Sequence, residues 1–165
     1  DKSTYEGSWN YDKREDPNGV LTWKEEDGNS STYTGSFKND KRTGQGKYTW
    51  SSQPNYKYEG EWVDGKRNGA GKQTYKDGSY YEGKYANDKR EGFGVYMYAD
   101  GSKYEGTWRN DEKSGDKCKF VWSDKDEYEG RFQGGECVAG SGAASSKLKK
   151  WNNEQNRHDD AVDIV

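Results

Sequence analysis

The chain repeats a short alternating pattern in which aromatic and glycine residues occupy every second position and polar residues fill the positions between them. Six copies have the form Tyr-x-Gly-x-aromatic, and they begin at Tyr5, Tyr33, Tyr58, Tyr81, Tyr104 and Tyr128. Side chains two residues apart lie on the same face of a β-strand, so each copy predicts a strand with one aromatic and one charged face. The copies recur every 23 to 28 residues, a period that indicates stacked units of two strands each.

A second strand is predicted in each unit. A glycine lies eleven residues after each of the four middle tyrosines, at Gly44, Gly69, Gly92 and Gly115. In the first three units another glycine follows two residues later. The intervening pairs, such as Asn39-Asp40 and Asp64-Gly65, tolerate the positive φ angles of tight hairpin turns. Each unit is therefore predicted to be a β-hairpin.

Glycine normally weakens a strand interior, so its regular use there needs a reason such as the close approach of another group. We expect aromatic rings to lie over these glycines. The chain has 14 Tyr, 7 Trp and 4 Phe, whereas its only leucines and isoleucine are Leu21, Leu148 and Ile164, so the predicted core is aromatic. In the fifth unit Lys117 takes the expected place of the second glycine, and the requirement should be weaker there.

The segment from Tyr58 to Gly71, Tyr-Glu-Gly-Glu-Trp-x-x-Gly-Lys-Arg-x-Gly-x-Gly, closely resembles the MORN repeat. The resemblance covers about residues 5 to 142 and is clearest in the four middle units. It implies an elongated, gently curved antiparallel β ribbon with one hairpin per unit and a groove along one side. The predicted fold is thus all-β, a single-layer ribbon of about six hairpins over residues 1–142.

Residues 143–165 are predicted to be a linker and a short C-terminal helix or tail. Ser145 or Ser146 can cap such a helix, in which Leu148 and Trp151 would form a small apolar patch. The helix would either cover the sixth hairpin or serve as an anchor on another protein.

Few residues suit catalysis. The single histidine, His158, lies in a polar tail, and Cys118 and Cys137 have neither a Cys-x-x-Cys motif nor nearby histidines, so we interpret them as reduced thiols. The Gly-x-Gly segments lie inside strands, without the helix that a phosphate-binding loop requires. Glutamates at one repeat position form a column, which comprises Glu6, Glu59, Glu82, Glu105 and Glu129. A row of identical carboxylates is not an acid/base pair. We expect no catalytic, metal or cofactor site, and hence no enzyme.

A basic dipeptide follows each early hairpin turn. Stacking of the units would align these dipeptides along one edge, at a spacing that lets them act jointly on an anionic membrane surface. The candidate residues are Lys41, Arg42, Lys66, Arg67, Lys89 and Arg90. An aspartate precedes each pair and reduces the net positive charge of this edge. The edge could equally be an ordinary solvated one that discourages aggregation. The net charge of −3 disfavours nucleic acid as a partner.

One strand departs from the pattern because it is apolar on both faces. Phe93, Val95 and Met97 occupy positions that are small or polar in the two preceding units, as in Ala70, Lys72 and Thr74 or Gln45, Lys47 and Thr49. An apolar patch on a polar face is typical of an interface, although burial beneath the C-terminal tail would also explain it. We predict that these three residues bind a partner, with flanking aromatic rows shaping the groove: Tyr58, Trp62, Tyr81, Tyr85, Tyr104 and Trp108.

The resemblance and these residues together predict a non-enzymatic scaffold that binds a helical or extended segment of another protein along the groove. The family implies a cytoplasmic setting in a cytoskeletal or ciliary, axonemal assembly, as in radial spoke head proteins. Two alternatives remain at this point. The chain could be a peripheral membrane or phosphoinositide-binding module, or the accessory region of a larger enzyme.

Overall fold

A computed structural model describes residues 3–24, 28–51, 53–133 and 136–138. These residues form fourteen β-strands and no helix, which confirms the all-β prediction for them. The strands are β1 Ser3–Glu6, β2 Trp9–Asn10, β3 Lys13–Arg14, β4 Asp16–Lys24, β5 Ser30–Lys38, β6 Lys41–Trp50, β7 Gln53–Val63, β8 Lys66–Thr74, β9 Tyr80–Ala86, β10 Lys89–Met97, β11 Lys103–Arg109, β12 Glu112–Val121, β13 Glu127–Gln133 and β14 Glu136–Val138. The predicted C-terminal helix lies outside the described residues. None of the described segments is a helix long and apolar enough to span a bilayer.

The strands form one long antiparallel meander. Twelve of them pair in the order β1, β4, β5 and then consecutively to β14, so the sheet stays open; β2 and β3 form a separate small hairpin. Two-residue turns close the hairpins at the predicted positions. Asn39 and Asp40, for example, have φ angles of 49° and 68°, which match the right-handed twist of the flanking strands.

A line of glycines crosses the sheet. Consecutive strands place Gly19 opposite Gly35, Gly35 opposite Gly46, and so on through Gly60, Gly71, Gly83, Gly94 and Gly106. We call this line the glycine row. Tyrosine rings lie over it, as predicted: a Cβ added to Gly71 would meet the Tyr58 ring carbon Cζ at 2.5 Å. The Tyr58 hydroxyl then donates to the Glu61 carbonyl at 3.1 Å, and Tyr5, Tyr33, Tyr81 and Tyr104 repeat this bond.

The face that carries these rings, which we call the ring face, contains the core. Each unit-opening tyrosine from Tyr5 to Tyr104 touches the second aromatic of its own unit and that of the next. Ten such contacts join eleven rings from Trp9 to Phe132, with centroids 5.0 to 5.3 Å apart and planes near perpendicular. Edge-to-face pairs of this kind are favourable beyond the area that they bury. A second row of rings runs beside the first, from Trp23 to Trp122.

Each return strand bulges at its first glycine. Gly44, Gly69, Gly92 and Gly115 all have φ between 58° and 103°, where glycine is strongly favoured. In the fifth unit the bulge contains one extra residue, so that Cys118, and not Lys117, lies opposite Gly130. The expectation that Lys117 replaces the glycine was therefore wrong, because spacing along the chain cannot reveal a residue that the ladder leaves unpaired.

Candidate partner-binding surface

The face opposite the rings, which we call the charged face, carries an alternating row of lysines and glutamates. Adjacent strands place Lys47 opposite Glu59, Glu59 opposite Lys72, and Lys72 opposite Glu82. The Lys72 ammonium lies 3.0 Å from the Glu82 carboxylate. A hydrogen bond from Lys57 lowers the pKa of Glu59. The predicted column of glutamates is therefore part of a mixed ladder rather than an acidic stripe.

Val95 interrupts this ladder at a position where a lysine is expected from the neighbouring strands. It lies between Glu82 and Glu105, just as Lys119 lies between Glu105 and Glu129. Phe93, two residues earlier on the same strand and face, is 63% exposed. Val95 and Met97 are half-buried. The three residues form a continuous apolar patch on an otherwise charged surface, which we call the Phe93 patch.

Two shallow grooves on the charged face adjoin at the Phe93 patch. One has a volume of about 640 Å³ and is floored by glycines of the glycine row, including Gly60 and Gly71, with the lysines and glutamates of the ladder on its sides. The other has a volume of about 620 Å³ and runs past Glu105 and Lys119. Phe93 lines both grooves.

The aromatic residues predicted to shape the groove lie beneath it, on the ring face. Their exposed fractions lie between 0% and 4%, and the residues are Tyr58, Trp62, Tyr81, Tyr85, Tyr104 and Trp108. Burial raises the pKa of Tyr85 well above that of a free phenol. These rings are part of the core. They can therefore affect a partner only indirectly, by supporting the surface that the partner contacts.

The basic dipeptides divide between two environments. The lysines, Lys41, Lys66 and Lys89, are exposed. The arginines instead pack against the ring face: the Arg90 guanidinium is nearly buried and lies 4.4 Å from the Trp108 ring centroid. Any anionic surface would therefore be met by the lysines, and that hypothesis stays a prediction.

Other candidate chemistry is sparse in the described part of the chain. Cys118 is buried, and its thiol donates to the Gly130 carbonyl at 2.9 Å. The residues that the structure describes hold no group of three or more His, Cys, Asp or Glu side chains arranged to bind a metal ion. His158 and the side chain of Cys137 lie outside them.

Sequence reasoning identified the Phe93 patch but missed its setting. The first groove runs along the glycine row, whose continuity arises from the pairing between different hairpins. The Lys–Glu ladder likewise requires the register of neighbouring units. A recurrent lysine directly after the second glycine of the return strand, as in Lys47 and Lys72, was the available signal.

Comparison with known proteins gives a family match. A family model described as the MORN repeat matches residues 5–15, 33–53, 58–80, 81–103 and 104–127. A search among curated protein sequences finds no match to the chain. The matched segments contain the glycine row from Gly35 to Gly106, the tyrosines above it and the Phe93 patch.

Proposed function

The chain belongs to the MORN repeat family, a non-catalytic type of repeat that mediates protein or membrane interactions, and we propose that it is a scaffold that binds a segment of another protein along the charged face. The observation that carries this proposal is the Phe93 patch. A 63% exposed phenylalanine at the junction of two grooves has no packing role in the sheet. Aromatic and methionine side chains of this kind dominate binding hot spots.

The surroundings of the patch define the partner's chemistry. Val95 leaves Glu82 and Glu105 without the lysine that separates other glutamates of the ladder. A partner segment with an apolar residue over Phe93 and a lysine or arginine over Val95 would complete both the apolar contact and the charge alternation. The groove is open along its length, so it accommodates a helix or an extended segment.

The proposed setting is a cytoplasmic assembly of cytoskeletal or ciliary type, and family resemblance is its only support. Imaging of the tagged full-length protein tests it. A diffuse distribution that ignores cytoskeletal structures would contradict this setting without affecting the proposed binding surface.

The binding surface is tested by two complementary variants. Phe93→Ser combined with Met97→Ser removes the apolar contact, and Val95→Lys completes the ladder intramolecularly. Both changes are on the charged face, so we expect melting temperatures within a few degrees of the unmodified protein and loss of the partners captured by affinity purification. Thr34→Lys, on the exposed charged face of β5, adds the same charge away from the patch and should retain capture.

The outcomes separate the competing roles. If the double variant unfolds while its folded fraction still captures partners, the patch is core beneath other residues and the interface lies elsewhere. Binding to anionic liposomes that is lost when Lys41, Lys66 and Lys89 are changed to Glu, but is unaffected by Val95→Lys, would favour the membrane alternative.

A further inference from the structure

Successive hairpins are joined by a recurrent arginine–aspartate contact. Arg67 directs its backbone N–H and its Nε to the Asp88 carboxylate at 2.9 and 3.4 Å, and its Nη2 to the Asp88 carbonyl at 2.8 Å. Arg14 with Asp40, and Arg90 with Asp111, repeat the same three contacts. In each case the aspartate is the second residue of the next hairpin turn. A guanidinium held in this way by a carboxylate makes charge-assisted hydrogen bonds.

Arg42 is the exception. The next turn is Asp64-Gly65, so a glycine stands where the other units have the aspartate. The Arg42 Nη2 still donates to the Gly65 carbonyl at 2.7 Å, which is the backbone half of the contact. Asp64 pairs with Lys41 instead, at 2.9 Å. Within the part of the chain that the structure describes, Arg42 makes no ion pair.

The position of the missing carboxylate is open. A Cβ added to Gly65 would have no heavy atom within 4 Å. Beside it, a pocket of about 320 Å³ on the ring face is lined by Arg42, Arg67, Asp88 and five aromatic side chains, Trp62 among them. The Arg42 guanidinium carbon lies 4.3 Å from the Trp62 ring centroid, so the ring holds the guanidinium in place.

The charges in the pocket do not cancel. Asp88 and Gln73 already accept hydrogen bonds from Arg67, whereas Arg42 has only the Gly65 carbonyl and ring faces. Burial lowers the pKa of Arg42; for Arg67, burial lowers the pKa too, but Tyr85 and Asp88 more than offset it and the pKa is raised. The unbalanced positive charge in this pocket is that of Arg42.

We propose that Arg42 and the pocket beside Trp62 form a binding site for a carboxylate side chain of a partner protein, one that takes the place of the aspartate that Gly65 replaces. The carboxylate would accept from Arg42 Nε and its backbone N–H, as Asp88 does from Arg67. An apolar or aromatic neighbour in the partner segment would fit against the rings of the pocket. The site lies on the opposite face from the Phe93 patch and does not depend on it.

The test uses the full chain and two blocked dipeptides, acetyl-Asp-Phe-amide and its neutral counterpart acetyl-Asn-Phe-amide. Binding is followed by the NMR shifts of the Arg42 Nε–H and the Trp62 indole N–H. We expect a saturable shift with the aspartyl dipeptide and at least about tenfold weaker binding of the asparaginyl one.

Substitutions at Gly65 isolate the charge. Gly65→Asp supplies the carboxylate within the chain and should weaken aspartyl-dipeptide binding at least about tenfold. Gly65→Asn introduces a side chain of the same shape without charge and should retain binding. Both residues tolerate the turn, since Asp40, Asp88 and Asp111 adopt similar φ angles. Arg42→Met should abolish binding, although it also removes the contact with Trp62.

Three results would overturn the proposal. Equal affinity for the two dipeptides would show that charge is not recognised. Equal effects of Gly65→Asp and Gly65→Asn would show that the added side chain acts by its bulk. A shift of Arg42 with inorganic phosphate but with neither dipeptide would assign the site to a phosphate-type anion instead of a carboxylate.

Discussion

On the ring face of the sheet Tyr33, Tyr58, Tyr81 and Tyr104 are completely buried, whereas on the charged face Phe93 keeps 63% of its surface exposed. Both sets of residues lie on paired antiparallel strands of one sheet, and β10, which carries Phe93, pairs with the strands of Tyr81 and Tyr104, so strand structure as such does not cause the difference. The ring face gains its burial from contacts that continue from unit to unit. The charged face is held by ion pairs between exposed groups, which contribute little each.

The two faces therefore have different roles. A substitution on the ring face disturbs two neighbouring units, because each tyrosine contacts the aromatic of its own unit and that of the next. A substitution on the charged face changes a solvent-exposed row. The charged face can therefore vary for binding while the ring face maintains the fold, and a variant series that compares matched positions on the two faces tests this division.

The largest expected effect is alkaline unfolding of the ring face. Burial raises the pKa of Tyr33 to about 12 from 10.0 and also raises those of Tyr58, Tyr81 and Tyr104. A raised folded-state pKa means that the stabilisation is complete below pH 10.0 and is lost as the pH rises from 10.0 toward 12. We expect cooperative unfolding in this window, measured by circular dichroism alongside phenolate absorbance.

Two phenylalanine variants control for this effect. Tyr33→Phe removes one ionisable group from the ring face and should move the alkaline midpoint upward, even though it loses the bond to the Ser36 carbonyl. Tyr11→Phe, at a position that is 94% exposed, should leave the midpoint unchanged. Identical midpoints for both variants would show that alkaline unfolding is not caused by ionisation of the buried tyrosines.

The next effect compares two aromatic residues on opposite faces. Trp108→Ala removes a ring that is 1% exposed and contacts both Tyr81 and Tyr104; such truncations cost about 3–5 kcal/mol. Phe93→Ala should change the free energy of unfolding by no more than about 0.5 kcal/mol. Urea denaturation of both variants measures the difference, and similar losses of stability would mean that Phe93 is part of the core.

A smaller effect is expected from adding bulk at adjacent positions on the two faces. Gly71→Val places methyl groups into the Tyr58 ring and should cost about 1–3 kcal/mol. Ala70→Val adds the same kind of side chain one residue earlier, where the strand faces solvent, and should be close to neutral. An unchanged melting temperature for Gly71→Val would contradict the close approach of ring and glycine.

The alternation of residues was enough to predict the hairpins, their turns and the rings over glycine, because these features depend on positions within one unit. The joins between units were not predictable in this way. The contact of Arg67 with Asp88 depends on which turn lies beside which strand, and nothing in the spacing indicates that Asp64-Gly65 would leave Arg42 without a carboxylate. The bulge in β12 escaped prediction for the same reason.

The smallest effect concerns Cys118, which occupies the glycine position of the fifth unit. Its side chain already fits there, because the extra bulge residue shifts the strand and the thiol bonds to the Gly130 carbonyl. Cys118→Ala keeps the Cβ and should cost no more than about 1 kcal/mol. Gly94→Ala should cost more than Cys118→Ala although it adds a single carbon, since that Cβ would lie 2.5 Å from the Tyr81 ring carbon Cε2. Thermal denaturation of the two alanine variants compares their losses of stability. A larger loss for Cys118→Ala than for Gly94→Ala would show that the thiol, and not the widened bulge, makes the fifth unit tolerate a side chain beneath its ring.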